Sequence, residues 1–251
     1  MKYYQIIFSP TGGTEKVAKA MTRSWPQVET IDLSVANAPY AGICLESDSL
    51  AVIAMPSFGG VAPQLALDRL LMLKGNGAKC AIAAVYGNRA YEDTLIQMAD
   101  YAEKAGFHVI AAVSAVAEHS IVHAYAAGRP HDADCQELAG FGSQILQKAM
   151  SNRLSTPAIP GNRPYKKAGA GLVPKAGSGC TSCGLCAQKC PAGAIPADKP
   201  MATDKSKCIS CMRCVSICPV NARKVSSVMT ALAAVAIKKA CSVDKANELL
   251  I

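Results

Sequence analysis

The sequence predicts a two-part α/β protein, a doubly wound sheet of five parallel strands followed by a smaller domain built around cysteines. Three observations carry this. Over residues 1–150, short apolar runs alternate with stretches of helical period. Over 151–179 the alternation stops, and Pro, Gly and basic residues take over. Beyond that, CTSCGLCAQKCP at 180–191 and CISCMRCVSICP at 208–219 write one cysteine pattern twice. Strands interleaved with helices specify a parallel sheet covered on both faces.

The strand candidates are residues 3–8, 28–33, 50–55, 80–86 and 109–116, and the helix candidates are 14–24, 64–73, 91–105 and 132–150. The third, fourth and fifth strands are apolar almost throughout, as strands covered on two sides require. Sheets of this kind bind ligands beyond the carboxyl ends of their strands. The loops just after the strands are therefore where chemistry is expected.

Length and composition agree. The 251 residues leave room for one domain of about 150 residues and something smaller. The 51% hydrophobic and 18% charged content describes a globular chain with a core rather than a disordered one. The longest apolar run, VMTALAAVAI at 228–237, is shorter than the roughly 18 residues a membrane span needs, so no span is expected and the run reads as a buried helix. The start, MKYYQIIFSP, lacks the features of an export signal, which predicts a cytoplasmic protein. The formal charge of +8 counts the clustered cysteines as neutral, and metal binding would change that sum. Lys and Arg are dispersed, and four Phe and one Trp offer little for base stacking, so no nucleic-acid partner is expected.

In the first loop, FSPTGGTEKVAKA at 8–20, Ser9, Thr11 and Thr14 offer hydroxyls. Gly12 and Gly13 permit left-handed backbone close to a ligand. The free N–H groups and dipole of the following helix then suit a phosphate. The loop is neither a Walker loop nor G-x-G-x-x-G, and a tight turn with an ordinary helix cap accounts for the same residues. SPTGGT resembles the T/S-x-T-G-N-T loop of flavodoxins, which holds the phosphate of FMN without a lysine. Gly13 stands where many flavodoxins have Asn, which removes a side-chain contact.

That resemblance implies a sheet of order 2-1-3-4-5 and an FMN site completed by two more loops. MPSFGGVAP at 55–63 contains Ser57, Phe58, Gly59 and Gly60, and YGNRAYED at 86–93 contains Tyr86, Gly87, Asn88, Arg89 and Tyr91. A flat apolar ring with polar edges needs such faces and backbone groups. Phe58 supplies one face and Tyr86 or Tyr91 the other, and peptides around Phe58, Gly59 and Gly60 present a carbonyl to flavin N5–H. In flavodoxins a flip of that peptide stabilises one-electron-reduced flavin, and the glycine pair eases it. Taken singly, Phe58 and Tyr86 also read as core aromatics at strand ends. Arg89 reads either as a partner of reduced, anionic flavin or as a solvated arginine. His119 faces the flavin rim or is a hydrogen-bonded structural histidine, while His123 and His131 offer no evident partner. FMN rather than FAD or NAD rests on the form of the phosphate loop, since a dinucleotide site expects an acidic ribose ligand about 20 residues on, near where Asp32 stands.

Of 12 cysteines, eight lie between 180 and 218. With no export signal, metal or redox use is favoured over disulfides. Cys44, Cys80, Cys135 and Cys241 are scattered and read as free thiols packed like small apolar side chains. Both clustered stretches fit C-x2-C-x2-C-x3-C-P, whereas structural zinc usually uses two separated C-x2-C pairs and has no need of the prolines. Three thiolates on one loop can grip three irons of a cubane while the fourth points away. The stretch resembles bacterial two-cluster ferredoxins. That resemblance implies one 4Fe-4S cluster on Cys180, Cys183, Cys186 and Cys218, and another on Cys190, Cys208, Cys211 and Cys214.

As a whole the chain resembles flavodoxin-ferredoxin fusions of anaerobes. The expected organisation is a flavodoxin-like FMN domain over 1–151, a linker over 152–174, a small α+β two-cluster ferredoxin domain over 175–227 and a tail over 228–251 of one or two amphipathic helices. Ile159, Tyr165, Leu172 and Val173 are the expected anchors of the linker. The implied function is transfer of electrons between two 4Fe-4S clusters and FMN, linking one- and two-electron steps, with redox proteins as partners. The alternative is an FMN-dependent reductase of a small molecule fed by its own clusters. The linker leaves open docking onto the FMN face of a neighbouring subunit in a homodimer.

Overall fold

A computed structural model describes residues 1–151, 154–169 and 171–251; residues 152, 153 and 170 of the expected linker lie outside the described residues. The first half contains β1 (Tyr3–Ile7), α1 (Gly13–Met21), β2 (Val28–Asp32), β3 (Leu50–Pro56), α2 (Gln64–Leu70), β4 (Lys79–Tyr86), α3 (Thr94–Lys104), β5 (His108–Val116) and α4 (Asp132–Met150). All five strands are parallel, with order β2-β1-β3-β4-β5. This is the flavodoxin-like order expected.

Strand alternation divides the core. Tyr4, Ile6 and Phe8 face α2 and α3 through Leu67, Leu70, Leu95 and Met98. Ile7, Val52 and Val113 face α1 and α4 through Val17, Met21, Leu138 and Ile145. Leu67 and Ile145 are fully buried, and truncating either to Ala would cost about 2–5 kcal/mol through the cavity left behind. The helix α3 begins at Thr94, three residues later than its apolar pattern suggests, because Asn88 and Glu92 take left-handed backbone (φ 63° and 42°).

The second half holds a two-stranded antiparallel ribbon, β6 (Lys175–Ala176) with β7 (Arg223–Lys224), and two short helices, α5 (Leu185–Gln188) and α6 (Arg213–Ser216). The tail differs from expectation in two ways. It forms one helix, α7 (Ser227–Ile237), and one strand, β8 (Glu248–Leu250), rather than one or two amphipathic helices. β8 adds antiparallel to β5, pairing Leu249 with Val113, so the sheet has six strands. A three-residue strand, Glu-Leu-Leu, at this edge covers N–H and C=O groups that would otherwise lie open. Nor is α7 a buried helix: none of its residues is buried, and Val228, Leu232 and Val235 are well exposed.

The linker lies pinned on the α/β domain. Asp93 Oδ1 accepts the N–H and side-chain amide of Asn162 (2.8 and 3.1 Å), and its Oδ2 accepts the N–H of Lys166 (2.7 Å). Asp100 pairs with Arg163 and accepts from the Tyr165 hydroxyl. Ile159 packs on the core. Of the scattered cysteines, Cys80 and Cys241 are buried and Cys135 is half-buried, but Cys44 is exposed and does not pack as a small apolar side chain.

Candidate functional site

A cavity of about 740 Å³ lies beyond the carboxyl ends of β1, β3, β4 and β5. Its size falls within the roughly 300–1,000 Å³ of small-molecule sites. Of the loop residues expected at an FMN site, Thr11, Gly13, Thr14, Ser57, Phe58, Gly59, Tyr86, Gly87 and Arg89 line it.

The other five stand behind the wall. Ser9 shapes the first loop, with its Oγ accepting the Glu15 N–H (2.9 Å) and its own N–H donating to Ser34 Oγ (2.8 Å). Gly12 caps α1 in left-handed backbone (φ 92°). Gly59 and Gly60 (φ 64° and 95°) are the central pair of a tight turn closed by the Phe58 N–H on the Val61 carbonyl, and Gly60 backs onto the Glu92 carboxylate, which a side chain would overlap. Tyr91 meets Tyr86 edge-on at 5.4 Å, and burial pushes the Tyr86 phenol up to about 12. Asn88 is buried and serves the tail instead of the cavity: its amide donates to the carbonyls of Cys241 and Val243 (3.2 and 3.0 Å) and accepts the Lys245 N–H (3.0 Å).

Arg89 is half-buried and paired. It makes a two-pronged pair with Glu92 (2.8 and 3.1 Å), which also takes Lys166 at 2.8 Å. These hydrogen bonds, Arg89's first, outweigh burial and hold the Glu92 carboxyl below its usual range. Lys166 also lines the cavity; nothing in its linker context signalled this. His119 lines the cavity too, pressed so close to Gly87 that a Cβ there would stand 2.7 Å from the ring. Its Nδ1 accepts the N–H groups of Ile121 and Val122 (3.2 and 3.1 Å), which puts the ring proton on Nε2, and burial lowers its pKa. His123 pairs with Glu118 (2.6 Å), and His131 caps α4 through a reciprocal bond with Asp134. Asp32 closes its own turn on the Ser34 N–H (2.7 Å) and does not line the cavity.

The far wall comes from the cysteine domain: Cys208, Ile209, Ser210 and Cys211 border the same cavity, joined by Leu172 of the linker and by Ala233 and Ile237 of α7. The thiols themselves gather in two sets. Cys180, Cys183, Cys186 and Cys218 surround one small cavity, and Cys190, Cys208, Cys211 and Cys214 surround another. Each set thus draws one member from the other half of the repeat. Ala194 N–H and Ala222 N–H donate to Cys190 Sγ and Cys218 Sγ (3.3 and 3.2 Å), bonds that suit thiolate acceptors. Among the described residues, no three His, Cys, Asp or Glu side chains converge on a single-ion site. Burial pushes the free thiols of Cys211 and Cys214 up to about 12 and about 11, so metal must displace their protons.

Residues 177–193 and 201–224 each match a family described as a 4Fe-4S binding domain. The chain joins a flavodoxin-like domain to a ferredoxin-type 4Fe-4S segment. The strand order β2-β1-β3-β4-β5 is what makes the first half flavodoxin-like. Comparison with solved structures gave a flavodoxin from the domain Archaea (17% identity, 60% of this chain and 99% of that one, TM-score 0.44) and flavodoxin 1 from Bacillus cereus (18%, 59% and 98%, 0.41). Rubredoxin oxygen:oxidoreductase from Desulfovibrio gigas was also found (13%, 61% and 36%, 0.40). Comparison with curated proteins found no match. Among the described residues, no helix is long and apolar enough to cross a membrane.

Proposed function

We propose that this protein carries electrons between two 4Fe-4S clusters and one FMN inside a single chain, exchanging them with redox partner proteins. The observation that carries the reading is the shared wall: Cys208 and Cys211 border the cavity that also presents Thr11, Thr14, Phe58 and Tyr86. On this reading Thr11, Thr14 and the N-terminus of α1 hold the phosphate, and Phe58 and Tyr86 cover the ring. Bound FMN supplies the ability to exchange one or two electrons where each cluster passes one. The linker and α7 close the cavity from outside and keep water from the ring.

The absence of Asp32 from the cavity wall favours FMN over a dinucleotide. The linker's own attachments favour docking within one chain over docking onto a second subunit. The test is photochemical reduction of the clusters in the intact protein with flavin absorbance followed in time. A fast phase independent of protein concentration supports the reading. A rate proportional to concentration overturns it, and steady turnover of a small molecule without a protein partner would favour the reductase alternative.

A further inference from the structure

The cysteine domain is an internal repeat with an offset of 28 residues. Cys180 recurs as Cys208 and α5 as α6. The left-handed residues Ser182 and Gly193 (φ 54° and 59°) recur as Ser210 and Asn221 (56° and 50°). The N–H bond from Ala194 to Cys190 Sγ recurs from Ala222 to Cys218 Sγ. At the next position the halves diverge sharply. Ile195, 5% exposed, lines the cavity of the Cys190 set, and its counterpart Arg223, 1% exposed, lines the cavity of the Cys180 set.

Arg223 is the one buried basic side chain among the described residues. Its hydrogen-bond partners are all neutral: Nη1 donates to Thr203 Oγ1 (2.7 Å) and Nη2 to the carbonyls of Pro200 and Ala202. Its Nε is shielded from solvent and has no partner. A buried cation without a counter-charge is strongly unfavourable unless an anion lies beside it. Four metal-bound thiolates would be that anion. Cluster potentials respond to nearby charge and to hydrogen bonds on sulfur.

We propose that Arg223 raises the reduction potential of the cluster on Cys180, Cys183, Cys186 and Cys218 above that of the cluster on the other set. The inference rests on the two-cluster reading above. When a low-potential donor gives that centre one electron, no bond forms or breaks; its negative charge grows by one, and the buried guanidinium stabilises the gain. A charge this deep acts on both clusters: Arg223 lines the cavity of the Cys180 set, and its field also reaches Cys214 of the other set. Arg213 lines the other cavity, and its Nε also lacks a partner, but its side chain is partly exposed and water screens it. The first electron taken up then rests on the cluster away from the large cavity, and the second is the one delivered across the shared wall.

The test is a redox titration of the full chain read by electron paramagnetic resonance, with Arg223→Ile, which restores the repeat residue, Arg223→Lys, which keeps the charge, and Arg213→Leu. Arg223→Ile is expected to lower the higher of two potentials by at least tenfold in electron partition, 59 mV for one electron. Arg223→Lys retains most of the separation, and Arg213→Leu moves the lower potential by less. If Arg223→Ile does not assemble its clusters, Arg223→Gln, which keeps donors towards Thr203 and Pro200 without the charge, gives the same reading. Full iron and sulfide with both potentials unmoved, or a shift in the lower potential alone, overturns the proposal and leaves Arg223 as a strut for residues 200–203. Failure of the two-cluster reading shows separately, as wild-type protein with about four iron or with zinc.

Discussion

Arg69 on α2 donates one hydrogen bond to the carbonyl of Leu33 and another, 2.7 Å long, to the carbonyl of Pro191. Pro191 directly follows Cys190, so this guanidinium ties the sheet domain to a proposed cluster ligand's own loop. It also stands 5.8 Å from the centre of the Tyr40 ring. Arg69→Ala should loosen the docking of the two halves by about 1 kcal/mol or more. The expected result is slower flavin reduction after a flash with unchanged iron content. An unchanged rate would show that Arg69 does not hold the electron path.

Thr11 and Thr14 both line the large cavity at the start of α1. Replacing either by Ala should weaken FMN by about 1 kcal/mol, or roughly fivefold in Kd, measured by fluorescence titration of the flavin-free protein. Cofactor released by acid should chromatograph as FMN; recovery of FAD would overturn the assignment.

The fold was legible because its signals are local. Apolar strand runs, glycine-bearing loops and cysteine spacing each fix structure over a dozen residues or fewer, and α4 matches its expected bounds, 132–150. The candidate cavity was only partly legible, because a loop residue can face a ligand or brace its neighbour and sequence does not distinguish the two. Asn88 illustrates this: its loop suggested a ligand contact, while its amide holds a segment some 150 positions away. The strand β8 was hidden for a related reason. Three residues carry no period, and Glu248–Leu250 becomes a strand only because β5 offers an open edge. Lys166 reaches the cavity through the linker's attachment to Asp93 and Glu92, and Ser210 through docking of the cysteine domain, neither of which a local pattern encodes.

Two Cys-ligated cubanes require about eight iron and about eight acid-labile sulfide per chain, measurable on anaerobically prepared protein. Stoichiometric zinc without sulfide would sink that assignment. Because Cys190 shares a cavity with Cys208, Cys211 and Cys214, Cys190→Ala should damage the cluster of that set more than the one nearer in sequence. Loss confined to the Cys180 set would mean that the crossing is wrong.

Asn88 satisfies two tail carbonyls and one tail N–H from a buried position. Asn88→Ala strands those groups at about 1–3 kcal/mol each if they stay dry. The tail is then expected to open: amide exchange over residues 241–250 should accelerate while α1 and α4 stay protected. Uniform acceleration would mean instead that the whole domain is destabilised.

Asp93 holds Asn162 and Lys166 of the linker, and a Cβ placed on Gly59 of the turn that carries Phe58 would touch Ala168 and Gly169. The Lys166 N–H first, then the Asn162 groups, hold the Asp93 carboxyl below its usual range against burial. A carboxyl with a depressed folded pKa stabilises its contacts fully above the unfolded value, about 3.9, and loses that contribution as pH falls through the folded value. The clamp should therefore be constant from neutral pH down to about 4 and fail below it. Asp93→Asn keeps the size of the side chain, yet it replaces one strong acceptor by a donor facing an N–H. It is expected to speed flavin dissociation at pH 7 and to remove the acid-dependent part of that rate. Proteolytic cutting between 154 and 160 should do less, because the attachments at 162–168 stay in place. If the cut releases flavin as fast as Asp93→Asn does, the covalent tether rather than the Asp93 clamp keeps the cavity closed.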